Sequence, residues 1–298
     1  MSIKYLSILY EKWVVVVKRW WWEILLNLFQ IISGVIVVSL FGALSVKKKA
    51  VDKTGLIAGL AVGLSVWILG GWQWFLIILV FHLIAAQFTK YKYELKRSKG
   101  AAEEKGGARA WYNVFANGGI AMLLAILEGY GKFGGDVFFA GFLGAISTAT
   151  ADTLATEIGL LSPGNPRLIV NLKKKVEPGT SGGITPLGEF ATFAGALIIG
   201  LVAFLLQVAG FLDVNWGSKI LFISVVAGFL GCTFDSILGA TVQAVYRCQV
   251  CGKITEKRIH CGQKTKHIRG YELIENNTVN FISTALGALI AMLLYLNI

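Results

Sequence analysis

Residues 190–206 read FATFAGALIIGLVAFLL, an uncharged run of 17 residues in which one threonine is the only polar side chain. A run of this length and composition is typical of a helix that crosses the hydrocarbon core of a membrane, which takes about 20 residues. Seven further runs have a similar character, at 24–44, 56–69, 74–88, 114–127, 137–151, 220–245 and 279–296. The sequence therefore predicts an all-α, polytopic transmembrane bundle of about eight spans.

The composition of the whole chain excludes a soluble protein. Of its 298 residues, 55% are hydrophobic and 15% are charged, which lies outside the range of soluble globular domains. A chain of this length could not cover eight buried helices with polar surface. We expect one integral membrane domain over residues 1–298, a multi-pass protein of the cell membrane surrounded by the lipid bilayer.

The N-terminal residues 1–23 differ from the spans. They mix Lys4, Lys12, Lys18 and Arg19 with tryptophans, including the cluster Trp20–Trp22. Basic and aromatic side chains interleaved in this way favour a helix that lies at the headgroup level. Because no small-residue cleavage site follows, we interpret the segment as an interfacial helix and not as a cleaved signal peptide.

Basic residues are distributed unevenly between the loops. The segments 45–54, 89–111, 156–189 and 246–278 hold 22 of the 28 lysines and arginines. The positive-inside rule places these loops in the cytoplasm, so an active site built from them would lie on the cytoplasmic face. The net charge of +11 follows from this orientation and from attraction to anionic lipid, and no nucleic-acid partner is expected.

Two carboxylates lie inside apolar spans. Asp152 is near the end of the fifth span, and Asp235 stands between Gly231 and Gly239 in the seventh. Intramembrane acids usually face a wet cavity, a counter-charge or a metal, and two oxygen donors at similar depth suit Mg²⁺. Glu157 could join them as a ligand only if the helix ended or bent between residues 152 and 157. Ion coupling in a transporter is the alternative interpretation.

Polar side chains also enter the fourth and eighth spans. Three of them recur at intervals of four and share one helical face: Arg109, Asn113 and Asn117. In the eighth span, capping by Asn276 or Asn277 explains one amide but leaves Asn280 as a candidate site residue. We take the first three, with Asn277 and Asn280, as candidate phosphate-binding residues. Hydrogen bonding between helices and a snorkelling arginine are the alternative.

The loop before the sixth span has the parts of a phosphate cradle. Three lysines precede a turn-forming stretch, in the order Lys173, Lys174, Lys175, Glu177, Gly179, Thr180, Ser181, Gly182 and Gly183. Positive charge, exposed backbone N–H groups and hydroxyls together favour phosphate binding. Neither a Walker sequence nor a dinucleotide fingerprint is present. The lysines alone could also serve only as a topology anchor.

The last loop, 246–275, carries three of the four cysteines. A Cys-x-x-Cys pair, Cys248 and Cys251, is followed by His260 and Cys261, with His267 beyond. Three cysteines and either histidine could hold a tetrahedral, structural zinc ion. A disulfide is the alternative, which a cytoplasmic loop disfavours.

Five blocks in this order, 109–118, 152–159, 179–188, 234–243 and 276–284, resemble the membrane family that includes the plastid phytyl-phosphate kinase and its animal and archaeal relatives. The resemblance covers most of the chain. Within these blocks, Thr156 and Gln243 join the candidate phosphate-binding residues. The cysteine pairs are not part of the plant pattern, which favours an accessory zinc ion over a catalytic one.

A more distant resemblance concerns the nucleotide. Dolichol kinase and the CDP-diacylglycerol synthases carry Asp-x-x-Ala-x-x-x-Gly followed by Lys-Lys-Thr-x-Glu-Gly-Ser. The first motif is matched by Asp152, Ala155 and Gly159, and the second is approximated by residues 174–180, with Val176 in place of the threonine and Pro178 inserted. This resemblance implies that CTP is the donor of the phosphoryl or nucleotidyl group.

Together, the motifs and resemblances imply a CTP-dependent kinase that converts a membrane-embedded isoprenoid monophosphate, such as phytyl or geranylgeranyl phosphate, into its diphosphate. Mg²⁺ on Asp152 and Asp235, with Lys174 and Lys175 on the phosphates, would suffice for phosphoryl transfer. A cytidylyltransferase that uses the same CTP site and a non-enzymatic, ion-coupled transporter remain the alternatives.

Overall fold

The described part of the chain forms a bundle of eight membrane-length helices, which confirms the predicted fold class. The computed structural model describes residues 25, 27–131 and 136–298, and the predicted interfacial helix over 1–23 lies outside the described residues. In the described part the helices are Asn27–Lys47 (α1), Lys53–Ser65 (α2), Trp72–Lys90 (α3), the short Tyr93–Ser98 (α4), Trp111–Gly131 (α5), Asp136–Gly159 (α6), Pro186–Val208 (α7), Lys219–Thr241 (α8) and Asn276–Asn297 (α9). A π-helical turn, Val66–Gly70, extends α2 to membrane length.

The central helix of the bundle is α6, which packs against α3, α5, α7, α8 and α9. Its buried residues are mostly small, so neighbouring backbones can approach closely. Gly144 faces the backbone of Gly287 in α9, and Gly231 of α8 leaves room for the side chain of Thr148. Because protein surrounds α6 on several sides, most of its polar residues lie inside the bundle and not against lipid.

Short antiparallel sheets form in the two long loops. The α6–α7 loop contains Arg167–Leu168 (β1), Asn171–Lys175 (β2) and Gly183–Ile184 (β3), in the order β2-β1-β3. The α8–α9 loop contains Val245–Arg247 (β4), Ile254–Thr255 (β5) and Lys266–Arg269 (β8) in one sheet, with the order β5-β4-β8. The hairpin Ile259–His260 (β6) and Gln263–Lys264 (β7) stands beside it.

The four loops rich in basic residues meet at one end of the bundle, called the loop face below. Backbone hydrogen bonds join the first two loops, since Arg109 N–H donates to Ala50 and its carbonyl accepts from Asp52 N–H. Lys99 Nζ, in the second loop, donates to the carbonyl oxygens of Leu160 and Ser162 at 2.7 and 2.9 Å. A side-chain hydrogen bond between residues 181 and 256 joins the third loop to the fourth.

Candidate active site

Asp152 and Asp235 lie at similar depth in two packed helices. Asp152 is seven residues before the end of α6, and Asp235 is six residues before the end of α8. Both helices end at the loop face, so the two carboxylates lie about 10 Å below it at a rise of 1.5 Å per residue. They are close enough for the charge of Asp152 to act on Asp235.

The two carboxylates fit a divalent cation. Asp235 Oδ2 and Oγ of Ser283, which enters from α9, are both buried, and within the described residues neither makes a hydrogen bond of normal geometry, although the Ser283 hydroxyl lies close enough to act on the Asp235 carboxylate. Buried polar atoms of this kind are rare in folded proteins and mark places where a bound ion or ligand can complete the coordination. Carboxylate and hydroxyl oxygens are the ligands that Mg²⁺ prefers. Ser283 lies within the motif block 276–284, but the sequence reasoning did not single it out as a site residue.

Glu157 does not join the pair of aspartates. α6 runs without a break from Asp136 to Gly159, so the bend that a joint role requires is absent. Instead, Glu157 Oε2 lies 2.6 Å from Lys96 Nζ of α4, with both side chains almost fully buried, and Arg109 is 3.8 Å from the other oxygen. The assignment of Glu157 as a magnesium ligand is therefore corrected to a buried ion pair.

Arg109 lies outside the helix that the spacing predicted for it. α5 begins at Trp111, and Arg109 forms an isolated bridge with Val51 in extended backbone. Its guanidinium donates to Glu103 Oε1 at 2.7 Å, and its charge also acts on Asp152. Arg109 thus does not share a helical face with the asparagines, but it supplies positive charge to the same site.

The asparagines of α5 and α9 hydrogen-bond to one another. Asn113 Nδ2 donates to Asn277 Oδ1 at 3.0 Å, and Asn280 Nδ2 is 3.5 Å from Asn117 Oδ1. The N-cap of α9 is Glu275, so neither Asn276 nor Asn277 has the capping role considered from the sequence. The amides therefore link two helices at the border of the site.

An apolar cavity of about 140 Å³ opens beside these groups. It lies between α1, α2, α3 and α5 and is lined mostly by aliphatic, aromatic and glycine residues, among them Gly59. Its polar end is formed by Arg109, Asn113, Asn117 and Thr153, the residue next to Asp152. The cavity thus has an apolar body and a polar end near Asp152, an arrangement that suits an amphiphile.

The glycine loop, residues 177–183, packs against the end of α8. Gly179 and Gly182 have φ angles of +84° and +74°, which favour glycine. A Cβ at Gly182 would lie 2.5 Å from the carbonyl oxygen of Ser236 and from Cβ of Ala240, so no larger residue fits there without movement. Thr180 and Gly183 use their N–H groups in turns within the loop, whereas those of Ser181 and Gly182 make no hydrogen bond within the described residues.

The three lysines lie on the edge strand β2, with exposed side chains. No ion pair joins Lys173, Lys174 or Lys175 to either aspartate in the described structure. Thr156, near the end of α6, is also exposed. These residues therefore border the site and do not form its buried part.

Glu256 is a site residue that sequence reasoning missed. It follows β5 in the cysteine-rich loop, and its Oε1 accepts a 2.5 Å hydrogen bond from the Ser181 hydroxyl. Burial raises the pKa of the Glu256 carboxyl, and the hydrogen bond from Ser181 opposes that shift. Its charge acts on both Asp152 and Asp235. Gln243, a predicted site residue, is buried nearby, and its side-chain amide also acts on the Glu256 carboxylate.

Comparison with known proteins places this arrangement in a family. Residues 36–288 match the model of the integral membrane protein family DUF92, and this range contains every membrane residue of the site. The chain belongs to the DUF92 family. The family resemblance deduced from the five motif blocks is thereby confirmed.

Several DUF92 relatives match over most of their length. Protein PGR of Arabidopsis thaliana is 32% identical over 277 residues, which cover 87% of this chain and 93% of that protein. An uncharacterised membrane protein of Methanocaldococcus jannaschii is 28% identical and covers 90% and 96%. Protein VTE6, chloroplastic, of A. thaliana is 26% identical and covers 81% and 64%. No solved structure matches the chain.

This DUF92 chain brings together a second group of side chains at the loop face. The ligand atoms of Cys248, Cys251, His260 and Cys261 all lie within 4.8 Å of one another, and all three thiols are free. Of the two histidines that the spacing left open, His260 joins the group, whereas His267 packs against the ring of Tyr246. The pKa of the Cys248 thiol is lowered to about 6, mainly because the backbone N–H of Cys251 donates a hydrogen bond to it.

Proposed function

We propose that this DUF92 protein is a CTP-dependent kinase that converts a membrane-embedded prenyl monophosphate, of the phytyl or geranylgeranyl type, into its diphosphate. The observation that carries the proposal is the juxtaposition of Asp152 and Asp235 with the polar end of an apolar cavity and with the glycine loop. The similarity to VTE6 and the family resemblance favour a prenyl phosphate as the substrate class.

The metal would be Mg²⁺, held by Asp152 and Asp235, with Ser283 beside them. When bound, Mg²⁺ would neutralise phosphate charge during transfer. The ion would be separated from lipid because α6 and α8 pack against each other and against both α7 and α9. Glu157 is omitted because its charge is already paired with Lys96.

The phosphate of the acceptor and the adjoining part of its isoprenoid tail would occupy the cavity between α1, α2, α3 and α5, which at about 140 Å³ holds only the first part of such a tail. Its phosphate would then lie at the polar end, where Arg109 supplies positive charge and Asn113 and Asn117 supply amides. A phosphate acceptor is already an anion, so the transfer requires alignment and charge neutralisation rather than a general base.

The nucleotide would bind on the loop face. The free N–H groups of Ser181 and Gly182 suit phosphate oxygens, and the exposed lysines of β2 can reach the triphosphate from the side. We place this face in the cytoplasm, where the nucleotide is found, in accordance with its concentration of basic residues.

The experiment that tests the proposal is incubation of the purified protein with Mg²⁺, each nucleoside triphosphate in turn and a panel of prenyl monophosphates, with products identified by mass. Prenyl diphosphate and CDP are expected. Pyrophosphate with a CDP-linked lipid would instead indicate a cytidylyltransferase. Absence of nucleotide turnover, together with gradient-dependent flux in liposomes, would indicate a transporter.

A further inference from the structure

The loop between α8 and α9 presents four ligand atoms at the spacing of a metal site. His260 Nδ1 lies 3.6 Å from Cys251 Sγ and 3.2 Å from Cys261 Sγ. A tetrahedral zinc ion with Zn–S of about 2.3 Å and Zn–N of about 2.1 Å separates sulfur from nitrogen by about 3.6 Å. With the Cys248 thiol in the same group, three sulfurs and one nitrogen are available, which is a common structural zinc set.

Two facing turns hold these ligands. Cys248 and Cys251 lie in the turn between β4 and β5, and Cys261 follows His260 at the end of β6. Each turn contains a glycine with a φ of +74°, Gly252 or Gly262, directly after a cysteine. The Val250 N–H points at Cys248 Sγ, 3.4 Å away. Turns of this kind present sulfurs to a shared point, and the backbone N–H orients the sulfur that it contacts.

The segment between the two turns carries Glu256. Residues 252–259 connect one pair of ligands to the other, and Glu256 stands in their middle with its carboxylate on the hydroxyl of Ser181. Arg258, two residues later, donates to Glu275 Oε1 at 2.7 Å, which ties the segment to the start of α9. The position of Glu256 therefore depends on how firmly the ends of this segment are held.

We propose that Cys248, Cys251, His260 and Cys261 bind one zinc ion, and that this ion holds Glu256 against Ser181 and so fixes the glycine loop. With metal bound, both ends of the segment 252–259 are anchored, and its conformational freedom is reduced. Zinc is then a structural part of the loop face, because four protein ligands leave no position for a substrate. Only the use of the glycine loop for phosphate rests on the proposed kinase function.

The metal site is tested by elemental analysis of the full-length protein purified in detergent without chelator. We expect about one zinc per chain. His260→Ala should lose most of the zinc, whereas His267→Ala, which alters the other histidine of the same loop, should keep it. Cys251→Ser and Cys261→Ser change exposed residues and should lose zinc while the helical bundle stays folded, and Cys232→Ala in α8 should retain it.

The link to the glycine loop is tested by hydrogen–deuterium exchange. Removal of zinc, by chelator or by Cys261→Ser, should make the amides of residues 177–183 exchange several-fold faster and leave those of α6 unchanged. The proposal would be overturned if the native protein contains no zinc or has a disulfide between these cysteines. It would also be overturned if His267→Ala loses the zinc and His260→Ala keeps it, or if amide exchange at 177–183 does not change. None of these measurements involves phosphoryl transfer, so their outcome is separate from that of the kinase assay.

Discussion

Lys96 Nζ lies 2.6 Å from Glu157 Oε2, and the two side chains are 1% and 4% exposed. The lysine comes from the short helix α4 and the glutamate from the buried helix α6, so the pair locks the α3–α5 connection onto the centre of the bundle. Lys96 Nζ also donates to the carbonyl oxygen of Phe88 at 2.5 Å. This network makes the role of Glu157 structural and sets the first prediction.

Removing one partner of this ion pair should destabilise the protein strongly. Lys96→Met leaves the Glu157 carboxylate buried without its main partner, which typically costs about 3–5 kcal/mol. The double variant Lys96→Met with Glu157→Leu should recover much of this loss, because both charges are then removed. Denaturant unfolding in detergent measures the three stabilities. A double variant as unstable as the single one would contradict this account.

Asp152→Asn and Asp235→Asn should abolish most turnover while the protein stays folded. Each change keeps the size of the side chain but removes charge that would hold Mg²⁺, and the rate falls roughly tenfold per 1.4 kcal/mol lost. The double variant should be little worse than either single variant if both residues serve one ion. Asp213→Asn, on an exposed carboxylate at the opposite end of the bundle, is the control and should retain activity. Near-normal turnover of either site variant at saturating Mg²⁺ would exclude that residue as a ligand.

Gly182→Ala should weaken nucleotide binding. Gly182 has a positive φ, and a Cβ atom there would clash with the backbone and side chains of α8. The added methyl must therefore move the loop away from α8, and backbone strain of this kind costs about 1–3 kcal/mol. We expect a higher KM for the nucleotide with a smaller effect on that for the lipid. Gly164→Ala lies in the same connection, and its added methyl would meet nothing within 4 Å. Equal effects of the two changes on the nucleotide KM would argue against a phosphate-binding role for residues 177–183.

Gly59→Leu should obstruct the lipid site. A Cβ at Gly59 meets no atom within 4 Å, because this side of α2 faces the cavity. The leucine would fill part of the cavity in which the isoprenoid tail is proposed to bind, and it should raise the KM for the prenyl phosphate. Gly59→Ala should raise the same KM by a smaller amount. Ile57→Phe, on the exposed side of α2, serves as the matched control. Unchanged kinetics in Gly59→Leu would place the acceptor elsewhere.

The orientation can be tested by labelling in intact cells. In a background of Cys248→Ser, Cys251→Ser and Cys261→Ser, a cysteine at position 94 should react with an impermeant maleimide only after permeabilisation, since Glu94 lies on the loop face with an 81% exposed side chain. A cysteine at position 213 should react from outside, because the α7–α8 connection lies at the other end. The reverse pattern would place the whole site outside the cytoplasm and remove access to the nucleotide.

The sequence by itself determined the number of spans, the convergence of the basic loops and the depth of Asp152 and Asp235. These properties depend on run length, hydrophobicity and position within a helix, which are local and periodic. Tertiary structure alone decided which side chains meet. It paired Glu157 with Lys96 and brought Glu256 to Ser181, because these contacts join segments that are distant in the sequence and meet only when several helices pack. It also chose His260 over His267, because that choice depends on how the loop 246–275 folds on itself. It also placed Arg109 outside α5, since pairing with Val51 holds that residue in extended backbone where a fourfold spacing predicted a helix.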